Sequence, residues 1–309
     1  MALLTSNIET MHAFERYREI IPGYEGFLEA LKKPLPAYIR VNTLKIGVEQ
    51  ARKFMAGRGY EIGPVEGMEE AFRLRRPERP GSTLEFFLGH YHIQGLTSMF
   101  PAKILAPQAG EIILDLCAAP GGKATYLAQL MKNRGLVVAN DTKIDRIRML
   151  RSHIDRLGTT SLLVTRYDGQ IFPTRVLFDR ILLDPPCSGE GTYRFGRYAP
   201  LSADPEIIRR LGGLQRKLLH RAMDLLRPGG TLVYSTCTYA PEENEEVIDE
   251  IVKDGEAELL PIHIPFPHSS GLTFWGKKTF HSDVIKAVRL YPNQVDSWGF
   301  FIAKLRKPE

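Results

Sequence analysis

Two cysteines stand in surroundings suited to chemistry. Cys187 closes the run Asp184-Pro185-Pro186-Cys187, and Cys237 sits in Tyr234-Ser235-Thr236-Cys237-Thr238. Each run follows an apolar stretch with the length of a buried strand, so each thiol is expected at the carboxyl end of a strand. Ligands of open α/β sheets bind at those ends. An Asp-Pro-Pro-aromatic run suits the stacking of an amino group awaiting methylation. A cysteine in the fourth place cannot stack and points to covalent chemistry instead. Carbon 5 of a cytosine is a poor nucleophile, and a thiolate adding to carbon 6 makes it enamine-like and able to take a methyl group. On position alone either thiol is a candidate for the attack. A carboxyl near ring nitrogen 3 would support the addition, and Asp184 is placed for it. Cys117, the remaining cysteine, follows the first strand of the sheet and reads more simply as a small buried residue. Three cysteines are too few for a disulfide framework and lack metal-site spacing, so no metal is expected.

The methyl donor has its own signature. Residues 111–123 read EIILDLCAAPGGK: an apolar run, a turn of small residues, then a helical pattern. The turn comprises Cys117, Ala118, Ala119, Pro120, Gly121 and Gly122, and Lys123 opens the helix. Glycines let a ligand approach the backbone, and the helix start offers free N–H groups. The spacing is neither GxGxxG nor GxxxxGK[ST]. It suits a nucleoside with a short tail, such as S-adenosylmethionine. Three acids fall at the ends of successive strands. Asp141, about 20 residues past the turn, suits the ribose hydroxyls; Asp168 suits an adenine amine; Asp184 follows the fourth strand. Lys123 would meet a ligand carboxylate.

These residues need a sheet to converge on. Strands are expected at Ile112–Leu116, Leu136–Asn140, Leu162–Thr165, Arg180–Leu183 and Thr231–Ser235. Helices fit Lys123–Met131, Ile144–Leu157, Glu206–Leu226 and Glu242–Val252. This alternation marks a parallel sheet. The fourth and fifth strands should be neighbours, which would set Cys187 beside Cys237. The tail, Ile285–Tyr291 and Gly299–Leu305, reads as two strands at an antiparallel edge. Ahead of the sheet lie a helical segment to residue 33, broken at Ile21-Pro22-Gly23, a strand at Tyr38–Asn42, and a helix at Val48–Met55. A loop carrying Arg73, Arg75, Arg76 and Arg79 and a strand-like stretch, Leu84–Ile93, follow. Three parts are expected: a helical segment at 1–35, a small α+β module at 36–100, and an α/β domain at 101–309.

The 309 residues include 43% hydrophobic and 25% charged, an ordinary globular balance with room for a large core. No apolar run reaches the ~20 residues of a membrane span. The first residues lack a basic start, which with early glutamates argues against a signal peptide and for a cytoplasmic protein. The net charge of +5 permits a nucleic-acid partner. Arg40, the Arg73–Arg79 cluster and the basic residues between Arg194 and Arg221 are the candidates for RNA contact.

The motifs closely resemble those of the Sun-type (NSUN) family of RNA cytosine-C5 methyltransferases. The resemblance rests on DLCAAPGGKAT at 115–125, LLDPPCSGEGTYR at 182–194, RPGGTLVYSTCTYAPEENEEV at 227–247 and RLYPNQVDSWGFFIAKL at 289–305, and extends to YIRVNTL at 38–44. It implies a Rossmann-like domain with a seven-stranded, mostly parallel sheet and an antiparallel edge, preceded by an RNA-recognition-like module. It assigns attack to Cys237 and product release to Cys187. It places S-adenosylmethionine on the segment Cys117–Lys123 and on Asp141, Asp168 and Asp184, with Arg146 close by. Pro185 stands where the family often has alanine, and Tyr193-Arg194-Phe195-Gly196-Arg197 keeps the family's charge there without its pattern. The implied product is 5-methylcytosine in RNA. Near-minimal length favours tRNA, with ribosomal RNA as the alternative, and a monomer is expected. A small-molecule or exocyclic-amine methyltransferase would not need two thiols. A silent RNA-binding protein would need neither the acids nor the cysteines.

Overall fold

The computed structural model describes residues 14–173, 175–194 and 204–309. Helix α1, Tyr24–Lys32, begins after Gly23, whose φ of 61° places it in the left-handed region. It buries Phe27, Leu28 and Leu31 against Phe14, Tyr17, Tyr239 and Tyr291, the amphipathic spacing expected of it. The part of the expected N-terminal helices before residue 14 lies outside the described residues.

The small module comprises β1 (Ala37–Val41), α2 (Val48–Gly57), β2 (Glu61–Val65), β3 (Met68–Arg76), α3 (Leu84–Phe87) and β4 (Tyr91–Ile93). Its antiparallel sheet has the order β2-β3-β1-β4, the arrangement of a split β-α-β fold. Side chains alternate across β1. Ile39 and Val41 pack with Ala51 and Met55 of α2. Tyr38 and Arg40 face the other way, onto the large domain, where the Tyr38 hydroxyl donates to Asp296 O at 2.9 Å. Two expectations change here. Of the arginines expected in a loop, Arg73, Arg75 and Arg76 lie in β3 and only Arg79 lies beyond it, because Phe72 and Leu74 alternate with Arg73 and Arg75 and pin a strand. Leu84–Ile93 is not one strand: Thr83 caps a helical turn by accepting from Phe86 N, and only Tyr91–Ile93 pairs with β1.

After α4 (Leu96–Leu105) the large domain alternates β5 (Ile112–Asp115), α5 (Gly122–Leu130), β6 (Leu136–Asn140), α6 (Ile144–Leu157), β7 (Leu162–Thr165), β8 (Phe178–Leu183), α7 (Pro205–Leu225), β9 (Leu226–Thr236) and α8 (Glu245–Lys253). Short strands β10 (Glu258–Leu260), β11 (Ser269–Ser270), β12 (Phe274–Trp275) and β13 (Lys278–Thr279) lead to β14 (Val288–Leu290) and β15 (Phe300–Arg306). Strands β5 to β9 pair in parallel in the order β7-β6-β5-β8-β9, and β15 then β14 add an antiparallel edge. That path is the expected seven-stranded sheet; β10 and β11 extend it to nine. Chain direction across the sheet reverses between β5 and β8, so the crevice for a ligand opens outside those two strand ends. Helix α8 starts at Glu245 rather than Glu242, because Glu243 is drawn into contacts of its own described below.

Candidate active site

The parallel pairing of β8 with β9 aligns Leu183 with Tyr234. The loops that follow bring the Cys187 and Cys237 sulfurs to 3.3 Å. Side chains stitch these loops together. Ser188 Oγ and Thr238 Oγ1 lie 2.7 Å apart, Thr238 Oγ1 donates to Glu190 Oε2 at 3.0 Å, and Ser188 N donates to Glu243 Oε2 at 3.0 Å. Gly191 N donates to Cys237 O at 2.8 Å. A Cβ on Gly191 would sit 2.4 Å from Gly299 O, so only glycine permits this approach. The hydrogen bond to Cys237, then burial, push the Cys187 thiol well above the usual range. At that separation either thiol can donate to the other.

Asp184 follows β8 and is held from two sides: Lys123 Nζ donates to Oδ2 at 2.7 Å and Ser235 Oγ to Oδ1 at 2.9 Å. Burial alone would lower the Lys123 ammonium, but Asp184, and beyond it Asp115 and Cys237, raise it. Asp115, at the end of β5, is 1% exposed, and neither of its carboxylate oxygens has a hydrogen-bond partner. Burial, with Asp184 and Asp141 adding to it against the pull of Lys123, lifts its pKa to about 7. A buried acid with no partner facing a cavity marks a place for a donor from outside the chain.

Two cavities meet at Cys117. One, of about 240 Å³, is lined by Asn140, Asp141, Arg146, Asp168 and Pro186. The other, of about 540 Å³, takes in Asp115, Lys123, Asp184, Gln94 and Ala118 to Pro120, and runs between the large domain and the module to Tyr38, His92 and Trp298. Burial and the nearby acids push the Cys117 thiol far up, which fits an inert wall residue rather than a nucleophile. Gly121, with φ of 108°, lies where a Cβ would come within 2.7 Å of Leu150. Arg146 donates to Ala119 O and lies 3.4 Å from Asp141 Oδ2, so it braces the turn against the acid. Asp168 caps a short turn, accepting from Gln170 N at 3.0 Å. Asn140 ties the strand ends, donating to Leu116 O and Tyr167 O and accepting from Tyr167 N.

The structure thus brings together the three strand-end acids, the glycine turn, Lys123 and both cysteines. It does not do so for Arg40. That side chain is 1% exposed and donates to Gln94, Gln129, Thr125 and Gly122 O, so it fastens the module to α5 and has no surface for RNA. Arg73 is paired with Asp296 at 2.8 Å and Arg76 with Glu61 at 3.2 Å. Phe195 and Arg197 lie outside the described residues. Three residues of this site have no assigned place in the sequence reading: Asp115, Glu190 and Glu243. Glu190 stands inside SGEG, beside the cysteine motif, and that neighbourhood was the available signal. Glu243 falls inside the helix expected at Glu242–Val252, whereas it lies ahead of that helix and accepts from Ser188 N and Gln215 Nε2.

A family profile described as 16S rRNA methyltransferase RsmB/F matches residues 102–306. A second, the N-terminal domain of 16S rRNA methyltransferase RsmF, matches residues 12–95. The chain is 40% identical over 288 residues to the 28S rRNA (cytosine-C(5))-methyltransferase of Mus musculus, covering 91% of this chain and 36% of that one. It is 38% identical over 307 residues to ribosomal RNA small subunit methyltransferase F of Escherichia coli (strain SMS-3-5 / SECEC), covering 94% of this chain and 62% of that one. The chain therefore spans between about a third and three-fifths of these curated relatives. A crystal structure of a methyltransferase homolog protein from Pyrococcus horikoshii superposes with a TM-score of 0.86 at 37% identity, over 99% of both chains. The crystal structure of NSun6 from Pyrococcus horikoshii with SFG gives 0.81 at 25% identity, over 96% of this chain and 97% of that one. With the first profile spanning well over half of its residues, the protein belongs to the RsmB/F (Sun-domain) methyltransferase family, the one its motifs resemble.

Proposed function

We propose that the protein is an S-adenosylmethionine-dependent RNA methyltransferase that forms 5-methylcytosine through a covalent cysteine–cytosine adduct. The observation that carries this reading is the 3.3 Å approach of Cys187 and Cys237 at the ends of paired strands, beside the Lys123–Asp184 pair. Methylation of an exocyclic amine has no use for two adjoining thiols.

The residues fit the methyl donor. Asp141 and Asp168 would take the ribose and adenine in the smaller cavity, and the Cys117–Gly122 turn would pass under the tail. Asp115, with two unpartnered oxygens, would receive the ammonium. Bound there, S-adenosylmethionine supplies an electrophilic methyl on its sulfonium. Cys237, as thiolate, adds to carbon 6 of the cytosine. Asp184 accepts and Lys123 donates beside the ring, holding the charge that develops at nitrogen 3 and its neighbours. Once carbon 5 carries the methyl, a base takes its proton, the carbon 5–carbon 6 double bond re-forms, and the carbon–sulfur bond breaks to release the Cys237 thiolate. Cys187, protonated and in contact, stabilises that leaving sulfur.

Relatives named for 28S and 16S ribosomal RNA support ribosomal RNA as the substrate class; the expectation of tRNA draws no such support. A cytoplasmic setting and a monomer accompany this reading, with the module at residues 36–100 helping to seat RNA. Among the described residues no helix is long and apolar enough to cross a membrane. Bisulfite sequencing of total RNA from a deletion strain tests the proposal. A single cytosine in ribosomal RNA should lose its protection, and an unchanged methylation map would refute it.

A further inference from the structure

Cys187 and Cys237 are free thiols whose sulfurs stand 3.3 Å apart. A disulfide sets its sulfurs about 2 Å apart, so a further approach of roughly 1.3 Å would close one here. Cys187 lies four residues past the end of β8 and Cys237 directly follows β9. The approach is therefore asked of loop backbone and not of the paired strands. Both side chains are half-buried, within reach of a small oxidant.

The two loops are tied together beside the sulfurs. Ser188 Oγ meets Thr238 Oγ1 at 2.7 Å, one residue beyond each cysteine, and Gly191 N donates to Cys237 O at 2.8 Å. Glu190 accepts from Thr238 Oγ1 at 3.0 Å and from Tyr239 N at 3.3 Å. These ties hold each thiol at a high effective concentration beside the other, which favours a bond within the chain over one between chains.

The geometry points to a reversible off state: a Cys187–Cys237 disulfide, formed by a peroxide, that removes both reaction thiols at once and leaves the cofactor cavities intact. That this state is inactive rests on the covalent reading above; that it forms does not. The step balances with hydrogen peroxide as oxidant. The Cys237 thiolate attacks one peroxide oxygen; a sulfur–oxygen bond forms, the oxygen–oxygen bond breaks, and hydroxide leaves behind a sulfenic acid. The Cys187 sulfur then attacks the Cys237 sulfur; the sulfur–sulfur bond forms, the sulfur–oxygen bond breaks, and the departing hydroxide takes the Cys187 proton as water. Two electrons pass from the sulfurs to the peroxide. With Cys187 in contact, the sulfenic acid is resolved before it reaches the irreversible sulfinic stage. A cytosine bonded to Cys237 occupies the same sulfur, so adduct and disulfide exclude one another.

Treatment of the full chain with a few equivalents of hydrogen peroxide, followed by intact mass, thiol titration and peptide mapping, tests it. The wild type should lose about 2 Da, the mass of two hydrogens. Its free thiols should fall from three to one, with Cys117 the one left, and mapping should join the peptides carrying Cys187 and Cys237. Methylation should fall by about a thousandfold or more, as on deletion of a nucleophile, and return on reduction with dithiothreitol. Calorimetry with S-adenosylmethionine should be unchanged by the oxidation. Cys187→Ala, lacking the resolving thiol, should instead gain about 32 Da as a sulfinic acid that dithiothreitol does not reverse. A wild type that keeps three thiols, or gains oxygen in place of losing two hydrogens, overturns the inference and leaves the catalytic reading standing. A disulfide that joins Cys117 overturns it equally. If the Cys187–Cys237 disulfide forms and methylation persists undiminished, the off state fails and the covalent reading fails with it.

Discussion

Cys187 and Cys237 come from loops after two paired parallel strands, and their sulfurs stand 3.3 Å apart, within hydrogen-bond reach of one another. The proposed mechanism divides their labour, with attack by Cys237 and release aided by Cys187. Removing Cys237 removes the attacking thiolate, so Cys237→Ala should lose methylation by a thousandfold or more, on the order seen when a nucleophile is deleted, and form no adduct. Cys187→Ala keeps attack and methyl transfer but loses the donor that eases the sulfur out. It should accumulate an RNA–protein adduct, dependent on S-adenosylmethionine, that survives denaturing electrophoresis. The reverse pattern would exchange the roles, and full methylation by both variants without any adduct would sink the covalent route.

The unpartnered oxygens of Asp115 and the position of Asp141 beside the smaller cavity predict a shared dependence of cofactor affinity. A charged hydrogen bond contributes about 1.5–3 kcal/mol, or about 10- to 150-fold in affinity. Calorimetry of Asp141→Ala and Asp115→Asn with S-adenosylmethionine should register losses of that size. Undiminished binding by either variant removes that residue from the site.

Arg40 makes a prediction opposite in kind. Burial lowers its pKa to about 10, with Tyr126 and Glu70 acting against that fall, and four acceptors around it depend on its guanidinium. Arg40→Ala would leave buried polar groups without partners and a void at the junction of the module with α5. A loss on the order of 3 kcal/mol should appear in urea unfolding. The salt slope of RNA binding should not change, since no phosphate contact is lost; a slope lower by about 1 would put Arg40 back among the RNA contacts.

Arg40 also marks the boundary of what the sequence discloses. The parallel sheet, the neighbouring of β8 and β9 and the meeting of the two cysteines follow from local patterns: apolar runs, glycine turns, strand-end acids. Those signals are near in sequence to what they position. Arg40 was legible as a basic residue in a strand, but its burial depends on α5, more than eighty residues away, docking on that face of the module. Glu190 and Glu243 were hidden for the same reason, because the groups they bind lie 28 to 173 residues distant. The strand carrying Arg73 was missed on more local grounds. Its apolar alternation rests on Phe72 and Leu74, with Arg73 and Arg75 in the outward places where a loop would also put them.

Glu190 offers the last test, through pH. It is 1% exposed; burial raises its pKa from 4.5 to about 7, against the hydrogen bonds from Tyr17 and Thr238 that favour the anion. Between those two values the folded chain keeps a proton that the unfolded chain has released. Stability must therefore fall as pH rises through that window, and level off above it. The shift corresponds to a loss on the order of 3 kcal/mol. Asp115 titrates in the same direction, so the wild type alone does not isolate the effect. Glu190→Gln holds a neutral side chain of the same shape at every pH and removes the Glu190 contribution, leaving those of Asp115 and Glu243. Urea unfolding of both proteins at pH 5 and pH 8 should show the wild type losing about 3 kcal/mol more than the variant across that span. Equal losses would mean that Glu190 stays ionised throughout, and that the loops carrying the two cysteines are tied by a charge rather than by a carboxyl group that gains and loses its proton near neutrality.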